Sequence, residues 1–219
     1  MRGRIIRGFD VDGVLSDSLG LCHYATVRSH CHFNLLAPTL ELYKECDSSN
    51  GFREKKIALG VPESKLKAYD AYWWETYCKL LQDDPPRMVP GSKEAVERWA
   101  SEGEHLMLLT QAGEANVDLQ LGLAWVRSVF KDAMFVKDKA TALAEYKAGI
   151  GGDALIYFGD MLLDGVACLK AGVKFGALVH EYSHSSEPRL LEFVRAHPEM
   201  AVAVGGFADL DRAMEEAFR

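Results

Sequence analysis

Hydrophobic residues along the chain follow two alternating patterns. Short, nearly continuous apolar runs predict buried strands over residues 5–9, 105–109, 134–136, 154–159, 174–179 and 201–204. Between them, apolar residues recur at every third or fourth position, which predicts helices over residues 92–101, 115–129, 139–148, 162–171, 187–197 and 207–218. This alternation predicts an α/β fold with right-handed crossovers and a parallel sheet covered on both faces. In such a sheet, ligands bind at the carboxyl ends of the strands.

One stretch interrupts the alternation. Residues 19–82 show helical periodicity but no strand pattern, and prolines at positions 85, 86 and 90 favour an extended return to the sheet. We therefore expect an α/β core made of residues 1–18 and 86–219, with a helical cap subdomain over residues 19–85. Because the insertion follows the first strand, we expect it above the carboxyl edge of the sheet, as a lid. Its aromatic residues recur at helical spacing, which favours a place in the core of the cap: Tyr69, Tyr72, Trp73, Trp74 and Tyr77.

Composition narrows the class of protein. The chain has 219 residues, of which 48% are hydrophobic and 26% are charged, as is typical of a globular protein. With 25 Lys and Arg against 32 Asp and Glu, the net charge of −7 argues against nucleic acid and anionic membranes as partners. No apolar run reaches the roughly 18 residues of a membrane span, and no signal-peptide core follows the first residues. The five cysteines are scattered, as is typical of reduced thiols, so we expect a cytoplasmic protein.

The histidines do not form a recognisable metal-binding pattern. His30 and His32 flank a cysteine, and His180 and His184 lie four residues apart late in the chain. None of them has the paired ligand spacing of a zinc site. This pattern favours solvated surface positions for all four.

The strongest chemical signal is the segment GFDVDGVLSDS, residues 8–18. Here an apolar strand ends in Asp10, and Asp12 and Gly13 follow at once. Residues two apart in an extended chain point to the same side, so we expect both carboxylates to face one site. When two carboxylates lie this close together, their repulsion raises the pKa of one of them unless a cation is present. The pattern favours one ionised carboxylate as nucleophile and metal ligand, and a second that exchanges a proton as general acid and base.

Two weaker signals follow the next two strands. Thr110 ends the run HLMLL and, with Gln111 and the backbone N–H groups after it, offers donors to phosphate oxygens. After the run MFV, Lys137 and Lys139 are alternative candidates for a cation that neutralises a bound oxyanion. Asp138, between them, is suited to cap the helix that begins near Lys139.

The fourth signal is LIYFGDMLLDG, residues 155–165. A buried strand ends in Gly159 and Asp160, and Asp164 follows one helical turn later. A spacing of four puts both acids on one side of a helix start. Carboxylate oxygens gathered with those of Asp10 and Asp12 suit a hard, six-coordinate ion, so we expect Mg²⁺ as the cofactor.

Together these segments resemble the phosphatases of the haloacid dehalogenase-like superfamily. DVDGVLSDS is similar to the first motif of that family, LLT to the second, the region of Lys137 and Lys139 to the third, and GDMLLD to the fourth. The resemblance covers the whole chain, and the first and fourth motifs are the specific ones. It implies a Rossmann-like parallel sheet with an inserted helical cap, and hydrolysis of a phosphate monoester through a phosphoaspartate.

The resemblance also implies a role for each motif residue. Asp10 is expected to attack phosphorus, and Asp12 to protonate the leaving oxygen and then deprotonate water. Thr110, Gln111 and the third-motif lysine are expected to hold the phosphoryl oxygens. The implied Mg²⁺ ligands are Asp10, the backbone carbonyl of Asp12, and Asp160, with Asp164 holding metal-bound waters.

Two departures from the family pattern bear on these roles. Many relatives with such a cap have proline directly after the third-motif lysine, whereas Asp138 follows Lys137 and Ala140 follows Lys139. We prefer Lys139, because in relatives without that proline the lysine opens the helix, as it does in KATALAEY. Asp12 is absent from the dehalogenases that give the superfamily its name, so its presence favours phosphate ester chemistry over carbon–halogen cleavage.

Three alternatives to a phosphatase remain at this point. A phosphomutase or a phosphonate-cleaving enzyme has the same fold, and the second needs a cap lysine that forms an imine; the sequence favours none of its cap lysines. A phosphate-responsive binding module similar to receiver domains also gathers acids, a threonine and a lysine. The resemblance implies a small phosphorylated metabolite, such as phosphoglycolate or a sugar phosphate. Asn50 and Arg53 are cap residues suited to contact it.

Overall fold

A single parallel sheet of six strands forms the centre of the molecule, in a computed structural model that describes residues 4–47 and 51–218. The strands are β1 (Ile5–Phe9), β2 (His105–Thr110), β3 (Asp132–Phe135), β4 (Ala154–Gly159), β5 (Lys174–Leu178) and β6 (Ala201–Val204). Their order across the sheet is β3-β2-β1-β4-β5-β6, and every neighbouring pair is parallel. The predicted fold class is confirmed.

Helices connect the strands and cover the sheet. They are α1 (Leu19–His32), α2 (Leu40–Glu45), α3 (Phe52–Ala58), α4 (Leu66–Asp83), α5 (Ser92–Ser101), α6 (Glu114–Leu121), α7 (Leu123–Val129), α8 (Lys139–Gly149), α9 (Leu162–Ala171), α10 (Glu187–Ala196) and α11 (Leu210–Ala217). Short 3₁₀ turns cover Glu63–Lys65 and Phe207–Asp209. None of the helices in the described ranges meets the length and hydropathy needed to cross a bilayer.

Each face of the sheet has its own hydrophobic core, because alternate residues of a strand point to opposite faces. Ile156 and Phe158 of β4 pack with Phe9 and Trp99 on one face. Tyr157, between them in sequence, packs on the other face with a second set that includes Ile6, Met107 and Phe175. Burial on both faces explains why the strands are continuous apolar runs rather than alternating ones.

The helices of residues 19–83 pack mainly on each other. Two small clusters of buried side chains lie among them, one around Ala25, Tyr43 and Leu81 and the other around Val61 and Tyr69. No strand occurs among the described residues of this segment, as its periodicity predicts. The segment leaves the sheet directly after β1, at its carboxyl edge.

Three predicted elements differ by more than one residue from those observed. The helix expected over residues 115–129 is two helices, because Gly122 adopts a φ of 76° and the Asp118 carboxylate accepts a hydrogen bond from the Leu123 N–H at 2.8 Å. The strand expected over residues 134–136 is shifted towards the N-terminus, to Asp132–Phe135. The helix expected over residues 207–218 begins as a 3₁₀ turn and becomes α-helical at Leu210.

The strand order creates a crevice at one position. From β1 the chain moves outward through β2 to β3, then returns to the other side of β1 to form β4, β5 and β6. The connections after β1 and β4 therefore diverge, and ligand sites form where such connections separate. The Asp10 N–H donates to the Phe158 carbonyl at 3.0 Å, which joins the two strand ends on either side of this crevice.

Candidate active site

A buried lysine joins two of the four acidic residues singled out in the sequence. Asp10 lies directly after β1 and is 5% exposed. One of its oxygens accepts a hydrogen bond from the Val11 N–H at 2.8 Å, and the other is paired with the ammonium group of Lys139. The same ammonium group lies 2.6 Å from Oδ1 of Asp164. Residues from the ends of β1, α8 and α9 therefore meet in one buried charge cluster.

The start of α8 determines which lysine enters the cluster. Asp138 caps this helix, since its carboxylate accepts hydrogen bonds from the N–H groups of Ala140 and Thr141. Lys139 is thus the first helical residue, and its side chain is buried. Lys137 is exposed, and its backbone carbonyl accepts a hydrogen bond from the Gln111 side chain at 2.7 Å.

Electrostatics keep Lys139 charged. Burial by itself lowers the pKa of a lysine, but the carboxylates of Asp10 and Asp164 outweigh it and raise the pKa of Lys139 well above its ordinary value. On the acidic side, burial raises the pKa of Asp164 to about 6, although Lys139 opposes the shift. Burial and the neighbouring Asp164 also raise the pKa of Asp160 well above its ordinary range. One ammonium group does not balance the acids collected here.

Three of these acids have the arrangement of a cation site. Oxygens of Asp10, Asp160 and Asp164 all lie within 4.8 Å of one another, and all three residues are buried. Both oxygens of Asp164 have partners, Lys139 and the Met161 N–H at 3.1 Å. Asp160 differs, because its Oδ2 accepts from a backbone N–H while its Oδ1 is buried without a hydrogen-bond partner. An ionised carboxylate oxygen in that state is costly unless a cation approaches it.

Asp12 lies beside this cluster and faces the helices of residues 19–83. The hydroxyl group of Tyr77, on α4, donates to its Oδ1 at 3.4 Å, and Gln120 donates to the same hydroxyl group at 3.4 Å. Burial is the largest cause that raises the pKa of Asp12, and the nearby Asp10 carboxylate adds to it. Asp12 is therefore suited to hold a proton at a pH at which an ordinary aspartate is ionised.

Thr110 and Gln111 lie at the neighbouring strand end. Thr110 is the last residue of β2 and is buried, and its hydroxyl oxygen accepts a hydrogen bond from the Ala112 N–H at 3.1 Å. Gln111 is exposed and lines the cavity described below. Since β2 pairs directly with β1, both residues lie at the same sheet edge as Asp10.

His184 is a site residue that sequence reasoning assigned wrongly to solvated surface. It is buried, its backbone N–H donates to Asp160 at 2.6 Å, and its ring lies 3.2 Å from the Ser18 hydroxyl group. Burial lowers the pKa of His184 to about 3, so its imidazole is neutral. Gly13 allows this packing, because its φ is +70° and a side chain there would overlap the Asp160 carboxylate. No spacing in the sequence marks His184, since the contact joins residues far apart in the chain.

A cavity of about 380 Å³ lies between the sheet edge and the helices above it. The sheet-edge side is lined by Asp12, Gln111, Met161 and His184, and the helical side includes Tyr43, Lys55, Trp73 and Tyr77. Contacts hold the two sides together. The Asp47 carboxylate, after α2, accepts hydrogen bonds from the Leu162 N–H at 3.1 Å and from the Ser185 hydroxyl group, and Arg189 donates to the Glu45 carbonyl.

The other cap residues singled out in the sequence have mixed positions. Arg53 is exposed and paired with Glu54 and Glu63, and Asn50 lies outside the described residues. Lys55 was not distinguished from its neighbours by sequence, yet it is only 3% exposed and lines the cavity.

Two further assignments to surface or to core need correction. His30 is fully buried rather than solvated, and its ring nitrogens lie within hydrogen-bond distance of the Thr26 and Leu59 carbonyls. In the aromatic cluster of α4, Tyr69 and Tyr77 are buried as predicted, whereas Trp74 is 50% exposed.

Solved structures resemble this chain over nearly its full length. A haloacid dehalogenase-like family hydrolase from Streptococcus pneumoniae is 15% identical, with a TM-score of 0.74 over 96% of this chain and 98% of that one. A protein from Clostridium acetobutylicum described as a predicted phosphatase is 17% identical, with a TM-score of 0.74 over 99% and 100% of the two chains. A predicted phosphoglycolate phosphatase from Haemophilus somnus 129PT is 18% identical, with a TM-score of 0.69 over 95% and 97%.

No family model matches the sequence, and no curated protein matches it either. The similarity to the solved structures therefore lies in the path of the backbone, and few residues are identical. At these identities the likeness establishes the fold and nothing finer. The chain has the α/β fold of the haloacid dehalogenase-like hydrolases.

Proposed function

We propose that this protein is a magnesium-dependent phosphatase that hydrolyses a small phosphate monoester through an aspartyl-phosphate on Asp10. The observation that carries the proposal is the pairing of Asp10 with the buried Lys139, with oxygens of Asp160 and Asp164 within 4.8 Å and a cavity beside Asp12. The fold adds support, because similar structures are described as predicted phosphatases.

The residues present fit a magnesium ion. The donors are carboxylate oxygens, which Mg²⁺ prefers, and the buried Asp160 Oδ1 lacks a hydrogen-bond partner. Asp10 and Asp160, with the backbone carbonyl of Asp12, would hold the ion, while Asp164 would orient its waters. When bound, Mg²⁺ supplies Lewis-acid neutralisation of phosphoryl oxygens.

Asp10 is suited to the role of nucleophile. A carboxylate oxygen of Asp10 forms a bond to phosphorus as the bond between phosphorus and the ester oxygen breaks, and the released oxygen takes a proton from Asp12. Lys139 is fixed by two carboxylates, so its charge is in position before the substrate arrives. Phosphoryl transfer depends mainly on such alignment and neutralisation of charge.

Asp12 is suited to exchange the proton in both half-reactions. Its raised pKa favours the protonated form, which can donate to the leaving alkoxide. Once ionised, it takes a proton from water, which attacks phosphorus and releases Asp10. The Tyr77 hydroxyl group donates to Asp12, and the Ser18 hydroxyl group, which lies 3.2 Å from the His184 ring, is a second hydrogen-bond partner of Asp12. These two contacts limit its rotation.

The helices over the cavity are suited to the role of a cap. We assign residues 19–85 to it and residues 1–18 and 86–219 to the core. The cap supplies most of the cavity wall that faces away from Asp10, so it would contact the alcohol part of the substrate. Thr110 and Gln111, at the sheet edge, would hold the phosphoryl oxygens.

A phosphonate-cleaving enzyme is the second candidate, and one observation favours it. Lys55 is a buried cap lysine in the cavity, and burial lowers its pKa, although Asp47 opposes the shift. A lowered pKa increases the neutral fraction of a lysine, and this form attacks an aldehyde to give an imine. Asp12 favours the phosphatase, because an alkoxide leaving group needs a proton donor. Treatment with phosphonoacetaldehyde and borohydride would attach the reduced adduct to Lys55 in a phosphonatase; we expect no adduct by mass spectrometry.

Replacing Asp10 removes the nucleophile. We expect Asp10→Asn to lower kcat for 4-nitrophenyl phosphate by at least about 1,000-fold, with an unchanged circular dichroism spectrum. Asp84→Asn, at an exposed position after α4, serves as the matched control and should retain activity. Turnover by Asp10→Asn within tenfold of the wild type would rule out the aspartyl-phosphate.

Removing divalent cations should stop the reaction. We expect protein dialysed against a chelator to be inactive and to recover with added Mg²⁺, and we expect Mg²⁺ to raise the melting temperature because it binds the folded state. Asp160→Asn should weaken both responses, since it removes the oxygen without a partner. Full activity in the chelator, or equal Mg²⁺ dependence of the melting temperature in both proteins, contradicts the proposed site.

The two candidate lysines should differ sharply. We expect Lys139→Ala to lower kcat/KM by at least about 100-fold, because a buried charge-assisted contact to the phosphoryl group is lost. Lys137→Ala, an exposed neighbour, should change it less than about twofold. Thermal unfolding in Mg²⁺ shows whether a variant has lost activity because it misfolds. If both variants are folded and Lys137→Ala lowers kcat/KM more than Lys139→Ala, Lys137 is the lysine that contacts the phosphoryl group.

A further inference from the structure

The ammonium group of Lys55 is buried beside the cavity without a hydrogen-bond partner. Lys55 is 3% exposed, and its Nζ is among the buried polar atoms that lack a partner. The nearest carboxylate oxygen, Oδ1 of Asp47, is 3.9 Å away and also lacks a partner. A lysine has three N–H donors, and leaving them unpaired in the interior is unfavourable.

The surroundings hold Lys55 in position but do not satisfy it. Its Nζ lies 3.8 Å from the centre of the Tyr43 ring, which attracts the charge through the face of the ring. The other oxygen of Asp47 is occupied by Leu162 and Ser185. An acceptor that arrives with the substrate would complete the contacts of this cation.

Most of the remaining cavity wall offers little hydrogen bonding. The side chains away from Asp12 are largely apolar or aromatic: Phe52, Leu59, Tyr69, Trp73 and Trp74. Two of their three polar groups are already used, since the Trp73 N–H donates to Thr26 at 3.0 Å and the Tyr69 hydroxyl group lies 2.8 Å from a ring nitrogen of His30. A polyol bound here would lose hydrogen bonds to water that the wall does not replace.

The charges around Lys55 set the kind of anion. Among the described residues that line the cavity, the other lysine is Lys56, which is paired with Asp70. Oδ1 of Asp47 lies 3.9 Å from the Lys55 ammonium group, so Lys55 would neutralise a group with two negative charges only in part. A carboxylate, with one charge, matches one lysine.

We propose that the alcohol part of the substrate is mainly apolar and ends in a carboxylate that binds Lys55, which makes the substrate a phosphorylated hydroxy acid and not a sugar phosphate. This inference rests on the proposed phosphatase function. It makes Lys55 a specificity-determining residue, and the cavity volume of about 380 Å³ leaves room for an acid longer than two carbons.

A series of matched substrates tests the proposal. The acids are ω-phosphooxy carboxylates of two, four and six carbons, each compared with the n-alkyl phosphate of the same length, and glucose 6-phosphate is the polyol. We expect the wild type to prefer the four- or six-carbon acid over its alkyl partner by about 10- to 100-fold in kcat/KM, mainly through KM. Glucose 6-phosphate should be turned over less efficiently than hexyl phosphate.

Variants of Lys55 test whether this residue causes the preference for the acid over the alkyl phosphate. Lys55→Met should reduce the acid-to-alkyl ratio to near one, and Lys55→Gln should do the same if the methionine variant folds poorly. Lys67→Met, at an exposed position of the cap that does not line the cavity, is the matched control and should keep the wild-type ratio.

The possible results distinguish failure of the Lys55 proposal from failure of the proposed phosphatase function. An acid-to-alkyl ratio near one in the wild type at every length, or a ratio that survives in folded Lys55 variants, overturns the role of Lys55 alone. Efficient turnover of glucose 6-phosphate overturns the proposal that the alcohol part of the substrate is mainly apolar. If no ester is hydrolysed in Mg²⁺, including 4-nitrophenyl phosphate, the phosphatase function fails and the inference fails with it.

Discussion

An imbalance of buried charge determines how this site is built. Asp10, Asp160 and Asp164 bring carboxylates within 4.8 Å of one another, Asp12 adds a fourth beside them, and the ammonium group of Lys139 is in direct contact with two of them. Burying unpaired charge costs several kcal/mol per ion, so such a cluster persists only where it is compensated. Raised pKa values at Asp12, Asp160 and Asp164 are one compensation, and a divalent cation is the other. The same imbalance that is unfavourable for folding would attract the proposed cation and phosphorylated ligand.

Sheet topology brings these charges together, and the helices above the sheet cover the crevice in which they lie. The strand order separates the connections after β1 and β4, so acids that follow both strands reach one crevice. Residues 19–83 then close the crevice into a cavity, and Asp47 is tied to the start of α9 close to Asp160. In the proposed function, the chemistry at the sheet edge and the contact with the alcohol are therefore supplied by different parts of the chain. A change of specificity at Lys55 or Trp73 need not disturb Asp10.

Much of this arrangement was predictable because it depends on local sequence patterns. Strands β1, β4 and β6 have the bounds that their apolar runs predict, and Asp10 and Asp160 are recognisable because each follows such a run directly. Asp138 is a local signal too, since a helix cap before Lys139 orients that lysine inward. His30, His184 and Lys55 were missed for one reason. Each is a polar residue buried by contacts with other elements of the fold, and neither periodicity nor spacing records such contacts.

In the proposed mechanism, Asp10 carries a phosphoryl group beside a magnesium ion that offsets the charge imbalance. A crystal structure of the protein grown with Mg²⁺ and beryllium trifluoride, which mimics a phosphoryl group on an aspartate, tests it most directly. We expect beryllium bound to an oxygen of Asp10, a cation at about 2.1 Å from oxygens of Asp10 and Asp160, and Lys139 in contact with a fluorine. An unmodified Asp10, or a cation bound away from Asp160, would contradict it.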